Sequence, residues 1–169
     1  MLQVYTGTGK GKTTAALGLA FRVLGQGNRV FLIQFMKKSA DSGEVKAARR
    51  FKKLKVLQAG REGCVKKGRV SLRDKQLAQR GLDAARKALK SKKYDLLILD
   101  ELNVAVNYNL LCLQEVRDIL NNRPKKTEVV ITGRYAHPEI LKAADLVSEI
   151  REVKHYYKKG ISQRVGIEY

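Results

Sequence analysis

Tryptophan is absent from the 169 residues, and proline and cysteine occur only twice each. No apolar run approaches the ~20 residues needed to cross a bilayer, and Met1-Leu2-Gln3-Val4 has none of the blocks of a secretion signal. Cys64 and Cys112 supply neither a disulfide framework nor a four-ligand zinc site, so they are expected to be reduced thiols in a cytoplasmic protein. Repeats and linker-like stretches are missing too. Acidic residues are scarce: 16 Asp and Glu stand against 35 Lys and Arg, a net charge of +19. Most of the imbalance lies early, with 22 basic and 5 acidic residues in positions 1–90. Such a field attracts phosphates, nucleic acids and anionic surfaces without choosing among them. The hydrophobic share of 44% excludes a mainly disordered chain. A chain of this length buries roughly 70% of its unfolded surface, so residues 1–169 are read as a single domain.

The order of patterns predicts an α/β protein. Gln3–Tyr5 reads as a short strand, Thr6–Lys12 as a glycine-rich turn, and Thr13 to Gly25 as a helix buried on most of its circumference. Arg29–Phe35 is nearly continuous Val, Phe, Leu and Ile, the pattern of a strand covered on both faces. A helix is expected near Glu44–Lys53 and a strand at Lys55–Gln58, followed by a loop over Ala59–Val70. Ala78, Leu82, Ala85 and Leu89 recur at helical spacing and predict a helix over Leu72–Lys90. Tyr94–Asp100 reads as a second covered strand, and Leu113, Val116 and Leu120 mark a helix ending before Arg123-Pro124. A strand at Glu128–Thr132, a short helix at Pro138–Ala144 and a last strand at Leu146–Val153 complete the series. Strands alternating with helices argue for an open, mostly parallel sheet flanked by helices.

Thr6-Gly7-Thr8-Gly9-Lys10-Gly11-Lys12-Thr13-Thr14 joins the first strand to the first helix. A loop in that position aims backbone N–H groups and the positive end of a helix dipole at one point, as a polyphosphate requires. Glycines at 7, 9 and 11 permit close backbone approach, Lys12 reaches phosphates, and the Thr13 hydroxyl suits Mg²⁺. The usual P-loop consensus has glycine where this chain has Thr6. Asp100-Glu101 ends a central strand at the same sheet edge, so both carboxylates are metal-ligand candidates beside Thr13. Arg134, in Thr132-Gly133-Arg134, occupies that edge after another strand. It is a candidate for holding the nucleotide, as is Arg22, nine residues after Thr13.

Together these segments resemble the ATP:corrinoid adenosyltransferases, a P-loop family of RecA-like architecture acting on cob(I)alamin or cob(I)yrinic acid a,c-diamide. The phosphate loop continues into Ala15-Ala16 and is similar to the family's T-G-N-G-K-G-K-T-T-A-A. Gln34-Phe35-Met36-Lys37 is similar to its Q-F-[IM]-K, Ser42-Gly43-Glu44 to its [NS]-G-E, and Leu99-Asp100-Glu101-Leu102-Asn103 to its L-D-E-[IL]-[NT]. Asn122-Arg123-Pro124, Ile131-Thr132-Gly133-Arg134 and the tail Val153-Lys154-His155 … Gly166-Ile167-Glu168-Tyr169 complete the match. The resemblance therefore runs through the whole chain.

The resemblance implies that a reduced Co(I) corrinoid attacks the 5′ carbon of ATP and releases tripolyphosphate. Lys12 and Glu101 are then the catalytic residues. Gly7, Thr8, Gly9, Lys10, Gly11, Lys12, Thr13, Thr14, Arg22 and Arg134 bind ATP, and Thr13, Glu101 and Asp100 hold Mg²⁺. Co(I) is itself the nucleophile, so His155 is expected to be structural or to position substrate. A homodimer, and a flavoprotein reductase supplying Co(I), are the implied partners. Some members carry an N-terminal extension over the neighbouring subunit's site; here the first strand begins at once, and that lid is expected to be absent. Others place Phe and Trp in the loop after the third strand, where this chain has Gly60-Arg61-Glu62-Gly63-Cys64-Val65, and Cys64 is expected to be a small buried thiol. The rival reading is a nucleic-acid-dependent ATPase using the same loop. It predicts stacking aromatics among the basic residues, yet residues 37–92 hold only Phe51.

Overall fold

A computed structural model describes residues 1–63 and 65–168; Cys64 and Tyr169, and with them the expectation for the Cys64 thiol, lie outside the described residues. Six strands form one sheet: β1 (Leu2–Thr6), β2 (Val30–Phe35), β3 (Leu54–Ala59), β4 (Leu96–Asp100), β5 (Glu128–Thr132) and β6 (Leu146–Glu149). Their order is β3-β2-β4-β5-β1-β6, and every pairing is parallel. The helices are α1 (Lys12–Gly25), α2 (Gly43–Ala48), α3 (Leu72–Ser91), α4 (Leu102–Asn107), α5 (Leu113–Asn121) and α6 (Pro138–Ala143). A 3₁₀ turn at Tyr156–Lys159 lies in the tail. No helix among the described residues is long and apolar enough to cross a membrane.

Alternation along the strands decides what meets what. Val30 and Leu32 of β2, Leu96 and Ile98 of β4 and Val130 of β5 pack with Ala16 and Ala20 of α1. The intervening residues, among them Phe31, Ile33, Leu97, Leu99, Val129 and Ile131, join a larger core with α3, α4, α5 and α6. Because side chains alternate with a period of two, Gln34, Asp100 and Thr132 each continue the α1-facing set at the carboxyl end of their strand. Gln34 stands directly opposite Asp100, and Thr132 ends β5 one residue past the Leu99–Ile131 pair. Three polar side chains thus converge under the start of α1, although 66 residues separate Gln34 from Asp100 and 32 separate Asp100 from Thr132.

Some expectations shift. Helix α1 buries only one stripe, Lys12, Ala16 and Ala20, and leaves Phe21 exposed, because it covers its sheet face alone. Helix α2 stops at Ala48, short of Lys53. The run Arg49, Arg50, Lys52 and Lys53 places like charges at helical neighbour spacing, which opposes continuation. Strand β6 ends at Glu149 because the backbone of Ile150 turns to the phosphate loop, donating to Thr6 O at 2.9 Å and accepting from Gly9 N at 2.8 Å. Helix α4 is an addition. Helix α3 starts on a capping box, with Ser71 Oγ accepting from Asp74 N and Asp74 Oδ2 accepting from Ser71 N.

Candidate active site

The loop between β1 and α1 is held from behind by the chain that follows β6. A Cβ on Gly7, whose φ is +99°, would overlap the Ile150 carbonyl, and one on Gly9 would press into Arg151. These glycines therefore admit a neighbouring segment of protein, a requirement separate from close approach to phosphate. Lys12 is buried, and its Nζ donates back into the loop, to Gly9 O at 2.6 Å and Gly7 O at 2.9 Å. Burial lowers its pKa, and the nearby Arg134 charge adds to this, against the pull of Glu101 and Asp100.

Asp100 is fully buried, and both of its oxygens are engaged. Oδ1 accepts from Thr13 Oγ1 (2.8 Å) and Thr132 Oγ1 (2.6 Å); Oδ2 accepts from Lys37 Nζ (2.9 Å) and Gln34 Nε2 (3.4 Å). Burial opposes its ionised form, but the Lys37 charge and the two threonine hydroxyls outweigh it, holding the carboxyl below its ordinary value. Lys37 was not assigned a role on sequence, and neither were Gln34 and Thr132. The only sequence signal for them was their place in the quoted Q-F-M-K and I-T-G-R segments.

Glu101 behaves oppositely. Its backbone is left-handed (φ 62°), its N–H donates to Thr132 Oγ1 at 3.0 Å, and no hydrogen bond among the described residues reaches its carboxylate. Burial, joined by the Asp100 charge, pushes its pKa up against the attraction of Lys37, Lys12 and Arg134. The chain makes room for that carboxylate at Gly133 (φ +127°), where a Cβ would come within 3.3 Å of Glu101 Oε2 and 3.1 Å of Asn103 Cβ. Asn103 in turn donates to Gly133 O at 3.2 Å.

Glu101, Arg134 and the loop from Gly9 to Thr14 line a cavity of about 460 Å³. Its far wall is the tail, including His155, Tyr156, Ile161 and Glu168. Lys10 bridges loop and tail: Nζ lies 3.0 Å from Tyr156 Oη, 3.1 Å from Ile167 O and 3.0 Å from Glu168 Oε1. Tyr156 also bonds Glu168, and the Arg164 guanidinium sits 4.6 Å over the Tyr156 ring while pairing with Glu168. His155 accepts from Tyr157 N at 3.1 Å and so caps the 3₁₀ turn.

Among the expected ATP contacts, Gly9, Lys10, Gly11, Lys12, Thr13, Thr14 and Arg134 face the cavity. Gly7 and Thr8 do not line it. Arg22 is not brought there: it is exposed on the last turn of α1, ten residues or about 15 Å of helix beyond Lys12. Asp100 does not line the cavity either; it touches Thr13, which does.

The donor set suits a small hard cation. The Thr13 hydroxyl spends its hydrogen on Asp100 and keeps its lone pairs, while the half-buried Glu101 carboxylate accepts no hydrogen bond from the described residues. Among the described residues no three His, Cys, Asp or Glu side chains gather, so the protein offers two oxygen ligands rather than a full cage. Mg²⁺ is characteristically held that way, by one or two protein oxygens together with substrate phosphates and water.

Comparison with known proteins gives this arrangement its relatives. The family model described as ATP:corrinoid adenosyltransferase BtuR/CobO/CobP matches residues 1–169. A corrinoid adenosyltransferase of Escherichia coli K12 is 39% identical over 167 residues, covering 98% of this chain and 84% of that protein. One from Pseudomonas aeruginosa is 37% identical over 169 residues, covering 100% of this chain and 83% of that protein. The Salmonella typhimurium corrinoid adenosyltransferase CobA is 37% identical over 167 residues, covering 98% and 84%. With its all-parallel sheet and a phosphate loop set against Glu101, the chain belongs to the ATP:corrinoid adenosyltransferase family.

Proposed function

We propose that this protein transfers the 5′-deoxyadenosyl group of ATP to the Co(I) of a reduced corrinoid and releases tripolyphosphate. Co(I) supplies the electron pair that forms the cobalt–carbon bond, and the C5′–O5′ pair leaves with the triphosphate. No proton has to be abstracted. The observation that carries the reading is the cavity itself: cationic and N–H donors line the loop wall, and among the described residues there is one uncommitted carboxylate beside them and no base poised on a nucleophile. What the site must stabilise is negative charge growing on a leaving polyphosphate.

Lys12 is the central residue for this. Its ammonium is already desolvated and held by two loop carbonyls, and an arriving phosphate oxygen replaces them as a stronger, charge-assisted partner. Arg134 faces the same cavity and holds phosphate oxygens from the other side. Lys10 exchanges its tail partners for phosphate, and the free N–H groups at the start of α1 complete the cradle. Gly9 N is excluded, since it is committed to Ile150 O. Thr13 and Glu101 hold Mg²⁺, which neutralises developing phosphate charge when bound. Asp100 belongs behind them, as the acceptor that orients Thr13. Arg22 has no part in this assignment.

The family resemblance also supports a homodimer, a flavoprotein reductase as the source of Co(I), and cytoplasmic location. The reading is tested by mixing the protein anaerobically with ATP, Mg²⁺ and chemically reduced cob(I)alamin, or its diamide precursor, and following the corrinoid spectrum. The alkyl-cobalt spectrum should appear only with all three components. Its failure to appear with either corrinoid would overturn the proposal.

A further inference from the structure

The buried end of the site holds a charge that the chemistry above leaves unused. Lys37 lies in the loop after β2, and neither it nor Asp100 nor Thr132 lines the cavity. Two local devices put Lys37 there. Met36 takes a left-handed backbone (φ 61°), turning the chain sharply back over the end of the sheet. Gly60, in the loop after β3, packs so tightly against that turn that a Cβ would overlap the Lys37 amide nitrogen. The turn is fixed from both sides, and it delivers Nζ to 2.9 Å from Asp100 Oδ2.

We propose that Lys37 is a positioning residue for the metal–phosphate end of the site, acting through Asp100 on Thr13 and Glu101. With Oδ2 occupied by the ammonium, Asp100 presents Oδ1 to two hydroxyls. Thr13 donates to it and keeps its lone pairs toward the cavity. Thr132 donates to it and accepts the N–H of Glu101, fixing the left-handed residue that aims the carboxylate. Lys37 also cancels a buried negative charge that would otherwise compete for the cation. One ammonium thus keeps Asp100 an acceptor of hydrogen bonds rather than a ligand, and leaves Glu101 the carboxylate that faces the substrate.

The inference rests on the reading that the cavity takes MgATP, and its first test uses no corrinoid. ATP binding is followed by thermal shift while Mg²⁺ is titrated, for the wild-type protein and for Lys37→Met, which keeps the side-chain length without the charge. Loss of the ammonium should lower the Mg²⁺ midpoint by about tenfold, because an uncancelled carboxylate now attracts the cation. Turnover in the corrinoid assay should fall by about 100-fold, because Thr13 and Glu101 lose their fixed geometry. Tighter metal with slower transfer is a combination that a merely structural lysine would not produce. Lys37→Arg keeps the charge and should hold the Mg²⁺ midpoint within about twofold of wild type.

An unchanged or raised midpoint in Lys37→Met would overturn the proposal. If that variant does not fold, Lys37→Met/Asp100→Asn compared with Asp100→Asn alone carries the test. Without Asp100 to hold, removing Lys37 should cost no further turnover, whereas independent, additive losses would overturn the inference. A wild-type protein that binds MgATP but transfers nothing to a corrinoid would instead overturn the functional reading alone.

Discussion

Two charged networks flank the cavity, and they differ in nearly everything but composition. The inner one, Lys37–Asp100–Thr13–Thr132, sits at the carboxyl ends of three central strands with its carboxylate fully buried. The outer one, Lys10–Tyr156–Glu168–Arg164, closes the tail over the loop at the surface. Each pairs a lysine directly with a carboxylate that also accepts from hydroxyl groups. In the inner network the carboxylate is shut off from water, so Asp100 needs its partners and its geometry is fixed. In the outer one solvent and salt screen the same attraction, and partners can exchange. On the proposed function, these two settings would provide rigid placement of the metal ligands and replaceable cover over the phosphates.

The largest effects should come from residues that face the cavity. Glu101→Ala and Lys12→Ala are each expected to reduce turnover by about a thousandfold, read from the corrinoid spectrum. Thermal unfolding should change little for Glu101→Ala, whose carboxylate accepts no hydrogen bond from the described residues, and more for Lys12→Ala, which takes the ammonium from the Gly7 and Gly9 carbonyls. Wild-type rates in either variant would remove the site assignment.

Within the inner network, Asp100→Asn leaves Lys37 without its counter-charge. Since Lys37 is about a third exposed, the loss of stability should lie near the lower end for broken buried pairs, about 3 kcal/mol, measured by urea unfolding. Gly133→Ala should cost about 1–3 kcal/mol, because its φ of +127° suits no side chain. It should also slow turnover by crowding the Glu101 carboxylate. A Gly133→Ala protein with full activity would show that Glu101 does not need that space.

The outer network should respond most weakly, and to different variables. Glu168→Gln is expected to change ATP affinity by only a few-fold, with the difference vanishing in 1 M salt as the Debye length shrinks to about 3 Å. Arg164, Tyr156 and Lys10 hold the Glu168 carboxyl well below its ordinary value. A carboxyl depressed in the folded state stabilises above its unfolded pKa and loses that contribution as pH falls through the folded one. The tail contacts should therefore persist at pH 5 and open only in acid below the usual carboxylate range. Hydrogen exchange over residues 164–168 checks this, and early opening near neutral pH would mean the pairing is not what closes the tail.

The same contrast explains what could be read in the sequence. Strands β2 and β4 were legible because burial on both faces demands unbroken apolar residues, and α3 because its apolar positions recur at helical spacing. The loop, Thr13 and the Asp100-Glu101 pair were legible because they follow a strand or open a helix. Helix α4 was not: five of its six residues are buried and it follows β4 through the left-handed Glu101, without a Ser, Thr or Asp cap to announce it. Contacts across the chain were hidden in both networks. Lys37 meets Asp100 across 63 residues and Lys10 meets Glu168 across 158, and only the strand order brings each pair together. Spacing likewise suggested Arg22 as a ligand, where the straight run of α1 carries it away from the cavity.

Which bond of ATP breaks is the most direct test of the central claim, that this loop holds a leaving triphosphate rather than a transferred phosphoryl group. Phosphorus NMR of the products, taken anaerobically with ATP, Mg²⁺ and a Co(I) corrinoid, should show intact tripolyphosphate. It should form one-for-one with alkylated corrinoid and without orthophosphate. ADP and orthophosphate formed independently of corrinoid, and accelerated by added nucleic acid, would contradict the account and give the same cavity an ordinary ATPase role.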